Sequence, residues 1–290
     1  MTEEQHKNMT WEDHCNIIMS NPAIAAKMFQ QRVHHFINHV ILSKANPIGK
    51  VVDYYYRTEF QQRGWPHIHM VVWVENAPKF KKDPDQEVVE FIDKYISCEL
   101  PPESDEELHE IVTSVQVHSK NHTKSCRKTG KVCRFNYPKP PSNRTFICRP
   151  VDPIDGDEND PNYRDDLADR NAEEKKAQEI LKKLWQVLEA NDDAEFDQIL
   201  QITGITQSEF ENSLALLAKK NTLYYKRRVQ DQWINHYNPH LIRCWNGNMD
   251  IQYVLDPYAT VMYMLSYLTK SGKRNGRFTQ TCSKRSSRRK

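Results

Sequence analysis

The sequence predicts an α+β fold: a central antiparallel sheet flanked by helices, with an inserted His/Cys subregion of zinc type. Three observations predict it. Two runs rich in Val, Tyr and Ile, residues 51–60 and 67–74, stand on either side of a short polar stretch. Amphipathic segments with cap signals lie before and after them. Residues 118–148 have little apolar period but are dense in His, Cys, Lys and Arg.

The elements follow in order. Pro22 suits a first helical turn, and Ile24, Met28, Val33, Phe36, Ile37, Val40 and Ile41 supply an apolar stripe, so 22–43 reads as a helix. Asn46 to Gly49 reads as a turn. Residues 51–60 and 67–74 then form a hairpin around a turn at 61–66. Residues 87–96 read as helical, and 108–117 as a short helix or strand. Residues 150–165, rich in Pro, Asp, Asn and Gly, read as a loop. Helices are expected at 172–190 and at 207–220, the second announced by the capping-box pair Thr206 and Glu209. Residues 233–253 mix aromatic and β-branched side chains with turn signals at Asn238-Pro239 and Asn246-Gly247. They read as a strand pair with 251–254 as its last strand. Asp256-Pro257 is an N-cap followed by proline, opening a final helix that runs to Lys270, with Gly272 as its C-cap. The expected organisation is one domain over 1–273, containing the His/Cys subregion at 111–148 and a helical insertion at 165–222. A basic tail or linker follows at 274–290.

Composition narrows the function. The 290 residues carry 41 Lys plus Arg against 39 Asp plus Glu, so net charge says little about partners. Distribution says more: residues 152–174 are acidic, and from Lys270 onward nine basic side chains stand with no acidic one. That tail fits a polyanion. No secretory signal and no run of 18 apolar residues is present, so no membrane span is expected. Seven Cys in a long chain favour reduced thiols over a disulfide framework, hence an intracellular protein, nuclear in a eukaryotic host. Glycine is scarce and no Walker-type loop exists, which argues against an ATPase or dinucleotide fold within these residues.

Three constellations carry chemistry. His67 and His69 share one face of a strand by parity, and Glu59, a hairpin's distance upstream, has the parity of Val51, Asp53, Tyr55 and Arg57. A His-His-Glu set suits Mg, Mn or Zn and leaves positions for phosphate oxygens. Asp53 is a weaker ligand candidate, farther from the turn. A His-x-His pair also occurs simply lining a sheet.

Tyr263 and Tyr267, four apart, share a helical face, and Lys270 joins it. A phenol near a metal or a cation is a competent nucleophile toward phosphorus. Such pairs also occur as plain packing; Met262, Leu265 and Leu268 offer a partly separate apolar face for that purpose.

His118, His122, Cys126 and Cys133 supply four ligands of zinc type within sixteen residues, with Cys148 as an alternative to Cys133. Phe135 and Tyr137 stand among basic residues there. They are candidates for base stacking, as are Trp65 and Trp245.

The motif from Glu59 through Arg63-Gly64-Trp65-Pro66 to His69 resembles the two-histidine motif of the replication-initiator-like endonuclease domain of Helitron rolling-circle transposases. The His118 to Pro138 stretch is similar to that family's region between motifs, and Tyr237-Asn238-Pro239 to its next landmark. Tyr263 to Lys270 is similar to its two-tyrosine motif. Order and spacing agree over residues 30–273. The resemblance implies an HUH-type endonuclease fold, with Glu59, His67 and His69 holding Mg or Mn. Tyr263 and Tyr267 would be nucleophiles, assisted by Lys270. It implies nicking of single-stranded DNA at transposon ends and target, a covalent 5′-phosphotyrosine adduct, and a helicase domain C-terminal to this region in the full-length protein. Two departures stand out: Ser266 replaces a lysine usual between the tyrosines, and Asn248-Met249-Asp250 replaces a His-Ile-Asn.

Two other readings compete. One is a non-catalytic, zinc-stabilised binding module for single-stranded nucleic acid. The other is a metallohydrolase with water as nucleophile, which would survive loss of both tyrosines.

Overall fold

The computed structural model describes residues 9–60, 66–122, 126, 133–154, 156 and 161–266. In chain order they form α1 (Trp11–Ser20), α2 (Pro22–Phe36) running into a π-helical turn (Ile37–Ile41), β1 (Val51–Phe60) and β2 (Pro66–Val74). There follow α3 (Asp85–Tyr95), α4 (Glu106–Val115), β3 (Phe146–Cys148), α5 (Pro161–Ala190), α6 (Phe196–Thr203), α7 (Gln207–Leu217), β4 (Thr222–Tyr224) and α8 (Pro239–Trp245). A last helix, α9, covers residues 257–266. The chain divides into two compact units: residues 1–77 with 256–290, and residues 78–255.

In the first unit, Thr10 and Asp13 close a capping box at α1, and Pro22 opens α2 as its first residue. Val33, Ile37, Ile41, Pro47 and Ile48 are buried in this segment. β1 and β2 pair antiparallel from Phe60↔Pro66 through Asp53↔Trp73. Facing residues of such a pair share a face. Thus Glu59, Arg57 and Tyr55 lie with His67, His69 and Val71, while Thr58, Tyr56 and Tyr54 lie with Ile68, Met70 and Val72. A register shift between Val51 and Asp53 pairs Val51 with Val74, which removes Val51 from the Glu59 face. Ile68 and Met70 are half-buried rather than fully in a core. On their face, Tyr56 lines an open cleft of about 400 Å³ with Lys27, Gln31 and His34 of α2. The turn at 61–65 and the end of the last helix at Lys270 and Gly272 lie outside the described residues.

The second unit is mostly helical. Leu184 and Leu188 of α5 pack with Phe196 and Ile199 of α6 and Phe210 of α7. The Thr206–Glu209 capping box starts α7 as expected. α5 begins at Pro161, inside the segment read as a loop, because proline is well placed in a first helical turn. α6 was not anticipated, yet its signals are in the sequence: a Glu195/Gln198 box at its start and Gly204 with φ 66° at its end. The stretch read as a helix or strand at 108–117 is helix α4 (Glu106–Val115) as far as Val115, and Val117 makes an isolated bridge to Ile234.

The strand pair expected over 233–253 does not form. Asn238 instead caps α8, accepting from the His240 and Leu241 N–H groups, with Pro239 in the first turn. Asn246, with φ 45°, ends it. Residues 248–254 carry no strand; Gln116 holds Met249 through its backbone instead. Among the described residues the strands therefore make two separate two-stranded sheets, β1–β2 and β3–β4, smaller than the central sheet expected. Among these residues no helix is long and apolar enough to cross a membrane.

Candidate metal centre

The hairpin register brings three ligand atoms together. Glu59 faces His67 directly, and His69 is the next residue of β2 on that face. His67 Nε2 and His69 Nε2 are 2.9 Å apart. Glu59 Oε2 lies 3.0 Å from the first and 3.1 Å from the second. All three side chains are half-buried.

This triangle fits a shared cation. Every edge is at hydrogen-bonding distance, but with Glu59 ionised no choice of tautomers makes all three edges donor–acceptor pairs. Two protonated Nε2 atoms leave a donor–donor edge between the histidines; one unprotonated Nε2 leaves an acceptor–acceptor edge with the carboxylate. A cation between the three atoms removes the conflict. Two imidazoles and a carboxylate are a ligand set that could hold a divalent cation. Burial holds His67 below the ordinary histidine pKa, the neighbouring His69 adds to this, and Glu59 opposes both. A neutral imidazole with a free lone pair is the ligand form.

Tyr263 of α9 reaches the same site. Its hydroxyl is 3.3 Å from His69 Nδ1, and the two rings meet edge to face with centroids 5.4 Å apart. If Nε2 serves a cation, the ring proton sits on Nδ1, so His69 donates to the Tyr263 oxygen. Tyr263 is 51% exposed. Met264 is the buried side chain of this helix; Met262 and Leu265, expected to form its packed face, are exposed. Tyr267 and Lys270 lie outside the described residues, as does Trp65. Asp53 does not join the triangle: its carboxylate accepts from the Tyr54 N–H at the far end of the hairpin. Arg57, which the sequence reading left unassigned, stands opposite His69 on the ligand face. Strand parity alone could have found it.

The second constellation lies in the other unit. His118 Nε2, His122 Nδ1 and Cys126 Sγ are mutually 3.4 Å apart. Cys133 Sγ is 3.2 Å from Cys126 Sγ and 3.6 Å from His118 Nε2. All four ligand atoms lie within 4.8 Å of one another, and a two-nitrogen, two-sulfur set suits zinc. Burial raises the Cys126 thiol. At Cys133 burial is outweighed by N–H groups of Tyr137 and Phe135, which hold the thiol low. Cys148 is not the fourth ligand. It sits on β3 opposite Thr222, and burial pushes its thiol up to about 11. Tyr137 is not a free stacking surface either: it is buried, its hydroxyl donates to Asn235 Oδ1, and its ring stacks on His118 at 4.3 Å.

A family model described as the Helitron helicase-like domain at the N-terminus matches residues 1–72. That quarter of the chain contains Glu59, His67 and His69, and the match supports a Helitron-related protein. No curated protein and no solved structure matches the chain.

Proposed function

We propose that this chain acts in Helitron-type DNA transposition as a metal-dependent endonuclease and strand transferase for single-stranded DNA. The observation that carries the reading is the 3 Å triangle of Glu59, His67 and His69 with the Tyr263 hydroxyl against His69. The family match over the same hairpin supports it.

Mg or Mn bound by the triangle would polarise a phosphodiester and offset charge in the transition state. The chain's own residues do the rest. Arg57, on the ligand face, attracts the non-bridging oxygens of the strand. His69 orients the Tyr263 hydroxyl through Nδ1–H. The Tyr263 oxygen attacks phosphorus and loses its proton to solvent. The bond from phosphorus to the 3′-oxygen breaks, and that oxygen takes up a proton. The products are a 5′-phosphotyrosine and a free 3′-hydroxyl. Attack by a 3′-hydroxyl reverses the step, so rejoining needs no ATP. Tyr267 and Lys270 belong to the same proposal as second nucleophile and accessory cation, and a helicase in the full-length protein would supply single strands.

The test is a denaturation-resistant protein–DNA adduct formed on labelled single-stranded DNA with Mn or Mg. The adduct should require metal, fall below detection in His67→Ala, and be lost in Tyr263→Phe with Tyr267→Phe. Cleavage without an adduct would mean water is the nucleophile. Binding without cleavage would favour the zinc-stabilised binding module, a reading that the four-ligand array supports by itself.

A further inference from the structure

We propose that the tip formed by Arg134, Phe135 and Asn136, just after Cys133, is a second nucleic-acid site, separate in function from the metal triangle. There the Phe135 ring stacks on an unpaired base, and the Arg134 and Lys139 side chains beside it hold the phosphates. The choice of DNA over RNA as the strand rests on the function proposed above; the stacking site does not.

Phe135 is 47% exposed on an otherwise polar tip. The Arg134 guanidinium lies over the ring, 4.4 Å from its centroid, and the ring meets His118 at 5.9 Å in a T-shaped contact. Neither contact encloses the ring.

The tip is held in place. The Arg134 N–H donates to Cys126 O at 3.0 Å. The Asn136 N–H donates to Cys133 O at 2.9 Å, with Asn136 in the left-handed region at φ 56°. Lys139 Nζ donates to Phe135 O at 2.7 Å. An aromatic ring on a tethered backbone loses little conformational freedom on binding. A buried ring in the same stretch, Tyr137, already stacks on His118 and supports the zinc-type ligands.

Charge selects the occupant. From His118 through Lys139 the sequence holds seven Lys and Arg, Lys139 included, and no acidic residue. A polyanion with flat, unpaired rings satisfies both the charge and the exposed aromatic face. A duplex offers the charge but hides its rings.

The experiment uses the full chain, loaded with zinc and without added Mg or Mn, so that no strand is cut. Binding to a single-stranded oligonucleotide carrying 2-aminopurine is followed by anisotropy and by quenching of the probe base. Phe135→Leu should weaken binding about tenfold and abolish the quenching, while Phe135→Trp restores both. Arg134→Ala should lower the salt slope by about one. Each variant should retain one zinc, which separates a lost contact from a lost fold. The Phe135 dependence should persist in Tyr263→Phe and His67→Ala backgrounds, so failure of the adduct assay leaves this test intact. Equal binding and quenching by wild type and Phe135→Leu would overturn the proposal. So would an equal Phe135→Leu defect on duplex of the same sequence.

Discussion

Glu59 stands directly across the hairpin from His67, and its carboxylate lies 3.0 Å from the imidazole Nε2. Ten residues separate Glu59 from His69, yet all three ligand atoms meet because both strands present this face. The contact is a property of register. A slip by one residue would turn Glu59 to the face of Tyr56 and Met70.

Glu59→Gln should lower Mn affinity by about tenfold or more, since a neutral amide oxygen replaces a charged ligand. Asp53→Asn should leave it unchanged. Titration with Mn followed by electron paramagnetic resonance measures both; equal losses would place the ion elsewhere on the hairpin.

Metal binding should stay strong to a lower pH than free histidine would allow. Protons compete for the imidazole lone pairs, so affinity falls as pH drops through the pKa of each ligand. The His67 value in the folded chain lies below 6.5, chiefly through burial. Competition at His67 therefore sets in at a lower pH than at an ordinary histidine, and on acidification this residue should cost Mn affinity later than an unperturbed imidazole would. Following the His67 ring resonances by NMR across pH 5 to 8 checks the sign: a midpoint above 6.5 would contradict it.

Cys133→Ser should remove zinc and destabilise the unit of residues 78–255 by several kcal/mol, about what loss of a structural metal costs. Cys148→Ser should keep full zinc content. Metal analysis beside thermal unfolding distinguishes the two, and zinc loss from the Cys148 variant would reassign the fourth ligand.

Arg57→Ala should weaken binding of single-stranded DNA with little effect on Mn affinity, because the guanidinium shares the ligand face without being a ligand. The expected loss is about five- to tenfold at low salt, shrinking as salt rises. A change in Mn affinity of the same size would show that Arg57 acts on the hairpin geometry instead.

Asn238→Ala should cost about 2 kcal/mol of stability, as a cap and a buried hydrogen bond are lost together. The side chain is 1% exposed, accepts from two N–H groups of α8 and donates to Tyr95 O at 2.8 Å. Denaturant unfolding measures it, and a loss under 0.5 kcal/mol would show the cap to be dispensable.

The sequence by itself determined the local elements. Strand alternation puts His67 and His69 on one face, Pro22 starts α2, and Thr206 with Glu209 starts α7, because these signals act over two to four residues. Asn238-Pro239 carried the same kind of signal as Asp256-Pro257. The aromatic and β-branched residues around it favour a strand locally, but the Asn238 cap with Pro239 decides for a helix. Only the tertiary structure decided what meets over distance. Tyr263 reaches His69 across 194 positions, and Cys133 rather than Cys148 completes the His/Cys set. Periodicity cannot report such contacts: a repeat of two or 3.6 residues says which way a side chain points, not which distant segment packs against it.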